Sequence, residues 1–472
     1  MKDIHKRTKI VATIGPVTET EEIIGELIDA GMNVARFNTK HGTPEWHSER
    51  IQRVRDVAAE KGIPVAILLD LQGPEIRVNL RDAQGFAMHD GEEAIFTFDT
   101  NNTEEKAIFI PENVVETLQP GNFVLLDDGR CEFEIIRKED DLLVAKALGD
   151  FEVHHRKTMN TPGISIDMPS LIPEDLVQLD GAIEKKVNFV GLSFVRDKND
   201  IDILRGELDK RGLKDTSIVA KIENQSALDN IDEIIAASDA VMVARGDLAV
   251  EVPFEQLSFW QKLIIMKCRL ASKPVITATQ MLKSMVDNPR PTRAEVSDVA
   301  NAVYDSTDAV MLSEETTIGK FPVKSVATQA KIAMFNEEFE ASYLDEWVDE
   351  DDSSMVTHAA VYLLQNEENK IDGVVCLTET GNTVNLISRF RPKATIHALT
   401  SNKNTYNKLA LSYGVEPHIV EFPEGKLEEP TEMVDLIKDK GIVKSGETLL
   451  VIYGSIWKTP GLTNTLSIVH VK

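Results

Sequence analysis

Two apolar segments of this sequence each end in charged residues of both signs. The first ends at Lys221-Ile222-Glu223 and the second at Arg245-Gly246-Asp247, with a helical segment between them. If both segments are parallel strands, their carboxyl ends meet at one edge of a sheet, where α/β proteins bind ligands. Two carboxylates suit a hard divalent cation, and two cationic side chains suit an anionic substrate. The pattern therefore predicts a metal-assisted reaction on an anionic, phosphorylated compound.

The composition limits the class of protein. The chain has 472 residues, 51 Lys and Arg against 78 Asp and Glu, and a formal charge of -27, which disfavours nucleic acid or an anionic membrane as a partner. Cys131, Cys268 and Cys376 are far apart, so their spacing suggests neither a disulfide framework nor a zinc site. The sequence has neither a secretory apolar segment nor an apolar run long enough for a membrane helix. We expect a soluble cytoplasmic protein.

Strand-type segments alternate with helical periodicity in two stretches of the chain, 8–70 and about 180–340. Eight strands with intervening helices predict a closed (β/α)8 TIM barrel, with its active site at the carboxyl ends of the strands. The eight predicted strands are 8–14, 33–38, 65–70, 188–194, 217–223, 240–245, 274–280 and 308–313.

Polar side chains stand at the ends of most of these strands. Each alone is an ordinary loop residue, but together they indicate a site at one end of the barrel. They are Arg36, Asn38, Asp70, Ser193, Lys221, Glu223, Arg245, Asp247, Thr279 and Ser313.

Two further domains are predicted outside the barrel. Short β-type runs separated by Asp-Gly and Pro-Gly turns indicate a small inserted β-barrel domain at 74–161, which would act as a lid over the barrel mouth. An alternating pattern at 341–472 indicates a C-terminal α/β domain with an open sheet. Residues 1–73 and 162–340 then form the two parts of the barrel. The C-terminal strands are predicted at 373–377, 395–399, 418–421, 448–453 and 466–471.

Several motifs resemble the pyruvate kinase family over nearly the whole chain. The family implies a phosphotransferase that converts phosphoenolpyruvate and ADP to pyruvate and ATP in glycolysis. The matching segments are TKIVATIGP at 8–16, GMNVARFN at 31–38, GPEIR at 73–77, SFVR at 193–196, AKIENQ at 220–225, MVARGDL at 242–248, KPVITATQML at 273–282, NPRPTRAEVSDVANAV at 288–303, GVEP at 414–417 and TNT at 463–465.

Phosphoryl transfer depends mostly on positioning and charge neutralisation, so it requires a metal and cations. Glu223 and Asp247 would hold Mg²⁺ or Mn²⁺, although an ion-paired barrel rim is the simpler alternative. Lys221 would neutralise the phosphoryl group, and a salt bridge to Glu223 is compatible with that role. By resemblance, Arg36 and Arg77 add charge to the same group.

The resemblance also implies the remaining substrate contacts. Backbone N–H groups of the segment Ala244, Arg245 and Gly246 would receive the substrate carboxylate at a helix start. Thr279 and Ser313 would belong to the relay that protonates the enolate, although isolated hydroxyls are more often caps or buried donors. The nucleotide contacts would be Asn38, Arg77 and Lys157, the last supplied by the inserted domain.

Lys40 replaces a serine that is usual in the family, at a site for an essential monovalent cation. By resemblance, that ion is surrounded by Asn38, Lys40, Asp70 and the carbonyl of Leu71. A lysine ammonium at about 4 Å from Asp70 would gain on the order of 4 kcal/mol at an effective dielectric of 20, which is comparable to a bound K⁺. We therefore expect an enzyme that works without K⁺, the alternative being that Lys40 points into solvent. Glu314 replaces a glycine beside Ser313, and we expect it to point into solvent.

The C-terminal domain is expected to carry a regulatory anion site, by resemblance to the family's effector pocket. Its ligand would be a sugar monophosphate or a nucleotide monophosphate, and an ordinary capped helix is the alternative. The family also implies a homotetramer. The residues of this site are Thr378, Thr380, Gly381, Asn382 and Thr383, with Trp457 and Lys458 closing over them.

Two other functions remain open from the sequence. One is a catalytically weak relative that binds phosphoenolpyruvate or nucleotide as a sensor, suggested by Lys40 and Glu314. The other is a different barrel enzyme, such as a lyase, acting on phosphoenolpyruvate or a keto acid. A coupled turnover assay separates the sensor from an active pyruvate kinase, and the dependence of pyruvate release on ADP distinguishes the lyase.

Overall fold

The computed structural model describes residues 6–182, 186–339, 351–366, 368, 370–421, 430–454 and 463–472. In the first part of the barrel, each helix is ended by a glycine that takes a positive φ, Gly31 at 115° and Gly62 at 66°. Thr20 and Thr43 cap the starts of the same helices through their side chains. The elements are β1 (Lys9–Thr13), α1 (Glu21–Ala30), β2 (Val34–Asn38), α2 (Pro44–Lys61) and β3 (Ala66–Asp70).

The inserted segment forms a β domain with its own apolar core. A mixed seven-stranded sheet and a separate two-stranded sheet make up this domain. The short β-type runs noted in the sequence correspond to the longer strands of this domain, which are 93–97, 123–126, 131–138 and 142–147, whereas strands of two or three residues carry too little periodicity to be found. The elements are β4 (Asn79–Leu80), β5 (Phe86–Met88), β6 (Glu93–Thr97), β7 (Ala107–Phe109), α3 (Glu112–Thr117), β8 (Phe123–Leu126), β9 (Cys131–Lys138), β10 (Leu142–Ala147), β11 (Phe151–Val153) and β12 (Met159–Asn160).

The predicted TIM-type barrel is confirmed. Its eight parallel strands close in the order β1-β17-β16-β15-β14-β13-β3-β2, and the largest apolar core of the described chain lies between barrel and helices. The second part comprises α4 (Pro173–Ala182), β13 (Phe189–Leu192), α5 (Lys198–Lys210), β14 (Ser217–Ile222), α6 (Gln225–Asp229), α7 (Ile231–Ala237), β15 (Ala240–Ala244), α8 (Arg245–Glu251), α9 (Leu257–Leu270), β16 (Val275–Ala278), α10 (Arg293–Tyr304), β17 (Ala309–Leu312), α11 (Glu314–Thr317) and α12 (Pro322–Asn336).

The C-terminal segment is an α/β domain with an open five-stranded sheet of order β20-β19-β18-β21-β22. The strand predicted at 418–421 begins three residues earlier, because Pro417 is tolerated in an edge strand. The elements are α13 (Asp352–Gln365), β18 (Gly373–Leu377), α14 (Asn382–Ser388), β19 (Thr395–Thr400), α15 (Lys403–Lys408), β20 (Val415–Ile419), α16 (Pro430–Lys438), β21 (Thr448–Gly454) and β22 (Thr463–His470).

Two expectations about the class of protein can be compared with the structure. All three cysteines are buried and free, so they form no disulfide. None of the helices in the described ranges combines the length and apolarity needed to cross a membrane.

Candidate active site

A buried ion-pair network joins the carboxyl ends of β2, β3 and β14. The guanidinium of Arg36 donates through Nε to Asp70 Oδ2 at 2.7 Å, and its Nη2 lies 2.6 Å from the same oxygen. The ammonium of Lys221 lies 2.9 Å from Glu223 Oε1 and 3.5 Å from Asp70 Oδ1. Both carboxylates are 1% exposed. The structure therefore brings together four of the residues read from strand ends.

Neighbouring groups fix the orientation of this network. Lys221 Nζ donates to Ser193 Oγ at 2.6 Å, and that hydroxyl donates to the carbonyl of Leu71 at 2.7 Å. The backbone N–H of Phe194 donates to Glu223 Oε2 at 2.7 Å. The sequence predicted Ser193 as a polar residue at a strand end. Its contacts with Lys221 and Leu71 could not be predicted, because they depend on the closure of the barrel. Thr13 accepts from Arg36 Nη1 at 3.0 Å and gave no such signal, because it reads as an ordinary strand residue.

Burial and mutual attraction act in opposite directions on these charges. Burial opposes the charge of Lys221, yet Asp70 and Glu223 outweigh it, so the pKa of the lysine is raised. Burial likewise opposes the charge of Asp70, but Lys221 and Arg36 lower the pKa of that carboxyl. The barrel mouth therefore carries fixed positive charge at Arg36 and Lys221 at neutral pH.

Asp247 differs from the other two acids, because its carboxylate forms no hydrogen bond or ion pair within the described part of the chain. It lies in the first turn of α8, directly after β15. Burial, and then the charge of Glu223, raise the pKa of Asp247 to about 7. A buried carboxyl group whose ionisation is disfavoured by a neighbouring carboxylate forms with it a donor set that a hard divalent cation would stabilise. The residues present therefore fit Mg²⁺ or Mn²⁺.

Arg245 begins α8, but its guanidinium is engaged beside the barrel. It forms two contacts with the carboxylate of Asp298, at 2.7 and 2.8 Å, and donates to the carbonyl of Thr279 at 2.7 Å. Arg245 therefore holds the loop after β16, and its guanidinium is already engaged by protein groups. Asp298 lies 53 residues away on α10, so the sequence did not reveal this pairing.

Thr279 follows β16 with φ of 71°, in the left-handed region that β-branched residues disfavour. Its Oγ1 is buried and has no hydrogen-bond partner among the described residues. The side chain lies against the backbone of Gly246, where an added Cβ would be 3.6 Å from Oγ1. A strained backbone and an unsatisfied hydroxyl facing α8 indicate a group held for a ligand.

Ser313 follows β17 and is held through its backbone. Its N–H donates at 2.8 Å to the buried carboxylate of Glu315, which also accepts from the N–H of Leu282. Glu315 was not found from the sequence. Glu314 was expected to point into solvent; its side chain is half exposed and forms an ion pair with Lys283 there.

The predicted contact of Lys40 with Asp70 is wrong. Lys40 Nζ lies 2.8 Å from Glu75 Oε1 instead, and only the Lys40 N–H reaches Asn38, at 3.2 Å from Oδ1. Asp70 is already bound by Arg36 and Lys221, and the Leu71 carbonyl by Ser193, so those oxygens are engaged. Glu75 is the acid within reach of a half-exposed lysine.

Arg77 and Lys157 lie on neighbouring segments of the inserted domain. Arg77 Nη2 lies 2.7 Å from Glu75 Oε2, and its Nη1 donates to the Arg156 carbonyl at 2.7 Å. Lys157 Nζ lies 2.8 Å from Asp127 Oδ1. In the described ranges, no contact joins Lys157 to the barrel network.

The loop before α14 uses part of its polar groups internally. The Gly381 N–H donates to Thr378 Oγ1 at 2.8 Å, the Asn382 N–H lies 3.5 Å from Thr380 Oγ1, and Thr383 Oγ1 lies 2.6 Å from Thr463 Oγ1. Trp457 and Lys458, which were expected to close over this loop, lie outside the described residues.

Comparisons with known proteins cover nearly the whole chain. The model of the pyruvate kinase barrel domain matches residues 5–326, and that of the pyruvate kinase alpha/beta domain matches residues 354–469. A pyruvate kinase of Bacillus licheniformis is 38% identical over 98% of this chain and 80% of its own length. One of Clostridium acetobutylicum is 37% identical over 98% of this chain and 99% of its own. The crystal structure of a pyruvate kinase from Cryptosporidium parvum is similar with a TM-score of 0.91 and 32% identity, covering 100% of this chain and 98% of that one.

Proposed function

The chain belongs to the pyruvate kinase family, whose enzymes convert phosphoenolpyruvate and ADP to pyruvate and ATP, and we propose that Glu223 and Asp247 hold the divalent metal of this reaction. The observation that carries this assignment is the unpaired carboxylate of Asp247, with its raised pKa, beside Glu223. A bound Mg²⁺ or Mn²⁺ would supply charge neutralisation to the carboxylate and phosphoryl oxygens of the substrate.

The other residues of the mouth would act by position and charge. Lys221 and Arg36 keep fixed positive charge where the phosphoryl group moves, so charge neutralisation needs no rearrangement during the reaction. The backbone N–H groups of Ala244, Arg245 and Gly246, at the start of α8, would receive the substrate carboxylate. Thr279 offers an unsatisfied hydroxyl, and with Ser313 it would carry the proton to the enolate.

The nucleotide would lie between the barrel mouth and the inserted domain. Asn38 on β2, with Arg77 and Lys157 on the inserted segment, are the proposed contacts. We treat 74–161 as a lid between barrel parts 1–73 and 162–340, followed by a C-terminal domain at 341–472. Asn160 Nδ2 donates to Glu251 Oε1 at the end of α8, at 3.0 Å. Movement of the lid would therefore change a contact with α8, the helix whose first turn carries Asp247.

We propose that the enzyme works without K⁺ because of the ion pair between Lys40 and Glu75, rather than the expected contact between Lys40 and Asp70. Lys40 pairs with Glu75, and both residues influence the pKa of Asp247, Glu75 raising it and Lys40 lowering it. The ammonium of Lys40 is therefore a fixed positive charge close enough to act on the proposed metal ligand. Asn38, Asp70 and Leu71 would border this position without holding a free cation.

A phosphorylated effector is proposed in a cavity of about 460 Å³ between the barrel and the C-terminal domain. Thr380, Gly381 and Asn382 line it, together with four cationic residues, which are Arg205, Lys214 and Lys273 of the barrel domain and Lys408 of the C-terminal domain. Asp215 and Asp239 also line it, so the net charge favours a monophosphate over a more highly charged ligand. Thr378 and Thr383 would support the loop from behind.

A homotetramer and a cytoplasmic location complete the proposal. Large apolar side chains stand on the barrel exterior, among them Phe259 at 59% exposed on α9 and Phe335 at 67% on α12. Exposed aromatic groups of this kind are typical of subunit interfaces. Sedimentation velocity would measure the assembly directly.

The experiment that tests the function is pyruvate release from phosphoenolpyruvate by the full chain. We expect release only when both ADP and Mg²⁺ (or Mn²⁺) are present, at a rate that changes little when tetramethylammonium is exchanged for K⁺. Release without ADP would indicate a lyase-type or hydrolytic reaction. Binding of phosphoenolpyruvate without turnover would indicate a sensor.

A further inference from the structure

A cluster of metal-ligating side chains lies at the opposite end of the barrel from the mouth. His397 is on β19, and Glu416 and His418 are on the neighbouring edge strand β20. The strands pair with His397 opposite Glu416, and His418 follows two residues later, so all three project from one face of the sheet. One donor atom from each residue lies within 4.8 Å of the other two.

The separations match the spacing of ligands around one tetrahedral ion. His397 Nδ1 lies 3.2 Å from His418 Nε2 and 3.7 Å from Glu416 Oε2. Two imidazole nitrogens at about 2.0–2.1 Å from a tetrahedral zinc ion are roughly 3.3–3.4 Å apart. Two of the three separations are therefore close to those around a shared ion, and the third is below 4.8 Å.

The surroundings leave this position accessible. Glu416 and His418 line a cavity of about 730 Å³ between the barrel and the C-terminal domain, which provides a path for entry and space for a fourth ligand. Lys9 and Lys440 also line it, but each ammonium donates at 2.7 Å to a backbone carbonyl of β20, that of Val415 and that of Ile419.

We propose that His397, Glu416 and His418 form a second metal site, selective for a divalent transition metal such as Zn²⁺. Two imidazoles and one carboxylate suit Zn²⁺, whereas Mg²⁺ prefers oxygen ligands alone, so the catalytic ion would not compete for this site. The ion links the edge strand β20 to β19 and keeps one coordination position open towards the cavity. Its expected effect is to stabilise the C-terminal sheet.

The direct test is a zinc titration of the chelator-treated full chain in excess Mg²⁺, against a chromophoric chelator. The unmodified protein should bind one Zn²⁺ per chain outside the Mg²⁺ site, and its thermal midpoint should rise with Zn²⁺. His418→Gln should weaken this binding at least about tenfold and remove the thermal shift. Its Mg²⁺-dependent turnover should be unchanged, which also shows that the variant folds.

His470→Gln is the matched control, because His470 is on β22 at the other edge of the same sheet and contacts only Thr448 Oγ1 in the described hydrogen-bond network, at 3.0 Å. This control should bind Zn²⁺ like the unmodified chain. Equal zinc affinity of the unmodified chain and His418→Gln, or equal losses in the two variants, would overturn the proposal.

A spectroscopic measurement on the unmodified protein needs no variant. Co²⁺ added in excess Mg²⁺ should give the intense visible absorption of a four- or five-coordinate ion with nitrogen ligands. If only the weak absorption of six-coordinate, oxygen-bound Co²⁺ is seen, the site is not formed and the proposal fails.

Discussion

The two ends of the barrel use buried charge differently. At the end opposite the mouth, Arg391 and Asp308 form a buried pair, with side chains 1% and 5% exposed. All five N–H donors of Arg391 are used, on Asp308 and on the carbonyls of Ser306 and Ser388. Asp308 also accepts from the N–H groups of Val275 and Tyr413.

At the mouth the polar groups are incompletely satisfied. Thr279 Oγ1 is buried without a hydrogen-bond partner among the described residues, Asp70 Oδ1 has only the 3.5 Å contact with the ammonium of Lys221, and Asp247 has no ion pair there. A complete network of buried charges holds two domains together, and an incomplete one is arranged for a ligand that the protein itself does not supply. Removing a charge at the mouth should therefore affect turnover, and removing one at the other end should affect stability.

The largest effect is expected for Asp247→Asn. Replacing a metal-binding carboxylate by a neutral amide should lower kcat/KM by about 10³-fold or more, since the lost charge stabilisation amounts to several kcal/mol. In metal-free buffer the thermal midpoint should not fall, because Asp247 makes no ion pair within the described ranges. Initial rates and differential scanning calorimetry measure both. Glu314→Gln is the control: an exposed acid at the same mouth, expected to change kcat/KM by less than about twofold.

The reverse pattern is expected for Asp308→Asn. Removing one partner of a buried ion pair costs about 3–5 kcal/mol, which corresponds here to a thermal midpoint lower by roughly 5–10 °C. Turnover per folded molecule at 25 °C should be unchanged. The matched control is Asp287→Asn, the same substitution in an exposed pair with Lys320 whose side chains are 69% and 68% exposed, and its midpoint should stay within about 1 °C. Equal shifts in the two variants would contradict the distinction between the ends.

A smaller effect at the mouth is expected for Lys40→Ser. Without K⁺, loss of the charge beside Glu75 should reduce kcat/KM by about 10- to 100-fold, each tenfold being about 1.4 kcal/mol, and KCl should restore part of the loss. Rates in tetramethylammonium buffer with added KCl are the measurement. Lys283→Ser, which removes an exposed lysine paired with Glu314, is the control and should respond to K⁺ no more than the unmodified enzyme. A large stimulation of the unmodified enzyme by K⁺ would exclude Lys40 as a substitute for the ion.

The sequence predicted the barrel and most of the mouth because each strand of a parallel barrel carries its own signal. An apolar run followed by a polar residue locates both the strand and the residue at its carboxyl end, as for Lys221, Glu223 and Asp247. These positions depend on local periodicity and one topology rule, so closure of the barrel brings them together without further information.

Pairings that depend on tertiary competition could not be predicted. Lys40 has a long, flexible side chain, and its choice of Glu75 over Asp70 depends on Arg36 and Lys221 already occupying the latter. The pairing of Arg245 with Asp298 crosses two elements. The contact between His397 and His418 requires the register of two strands, which their sequence separation does not reveal.

The smallest effect is a pH dependence of stability in the absence of metal. The pKa of Asp247 is raised to about 7 in the folded chain from 3.8, so between these values the folded state holds a proton that the unfolded state has released. Stability therefore falls as pH rises across this window and stays at its lower level above pH 7.

The asparagine of Asp247→Asn is neutral throughout and mimics the protonated acid. In chelator-containing buffer the variant should match the unmodified chain only below about pH 4, exceed it increasingly as the pH rises towards 7, and keep a constant advantage above that, on the order of 1–4 kcal/mol. Thermal midpoints at several pH values measure the difference, and added Mg²⁺ should reverse it by stabilising only the unmodified chain. A variant less stable than the unmodified chain at pH 8 without metal would mean that the protein already stabilises the Asp247 anion, which would remove the reason to assign a metal there.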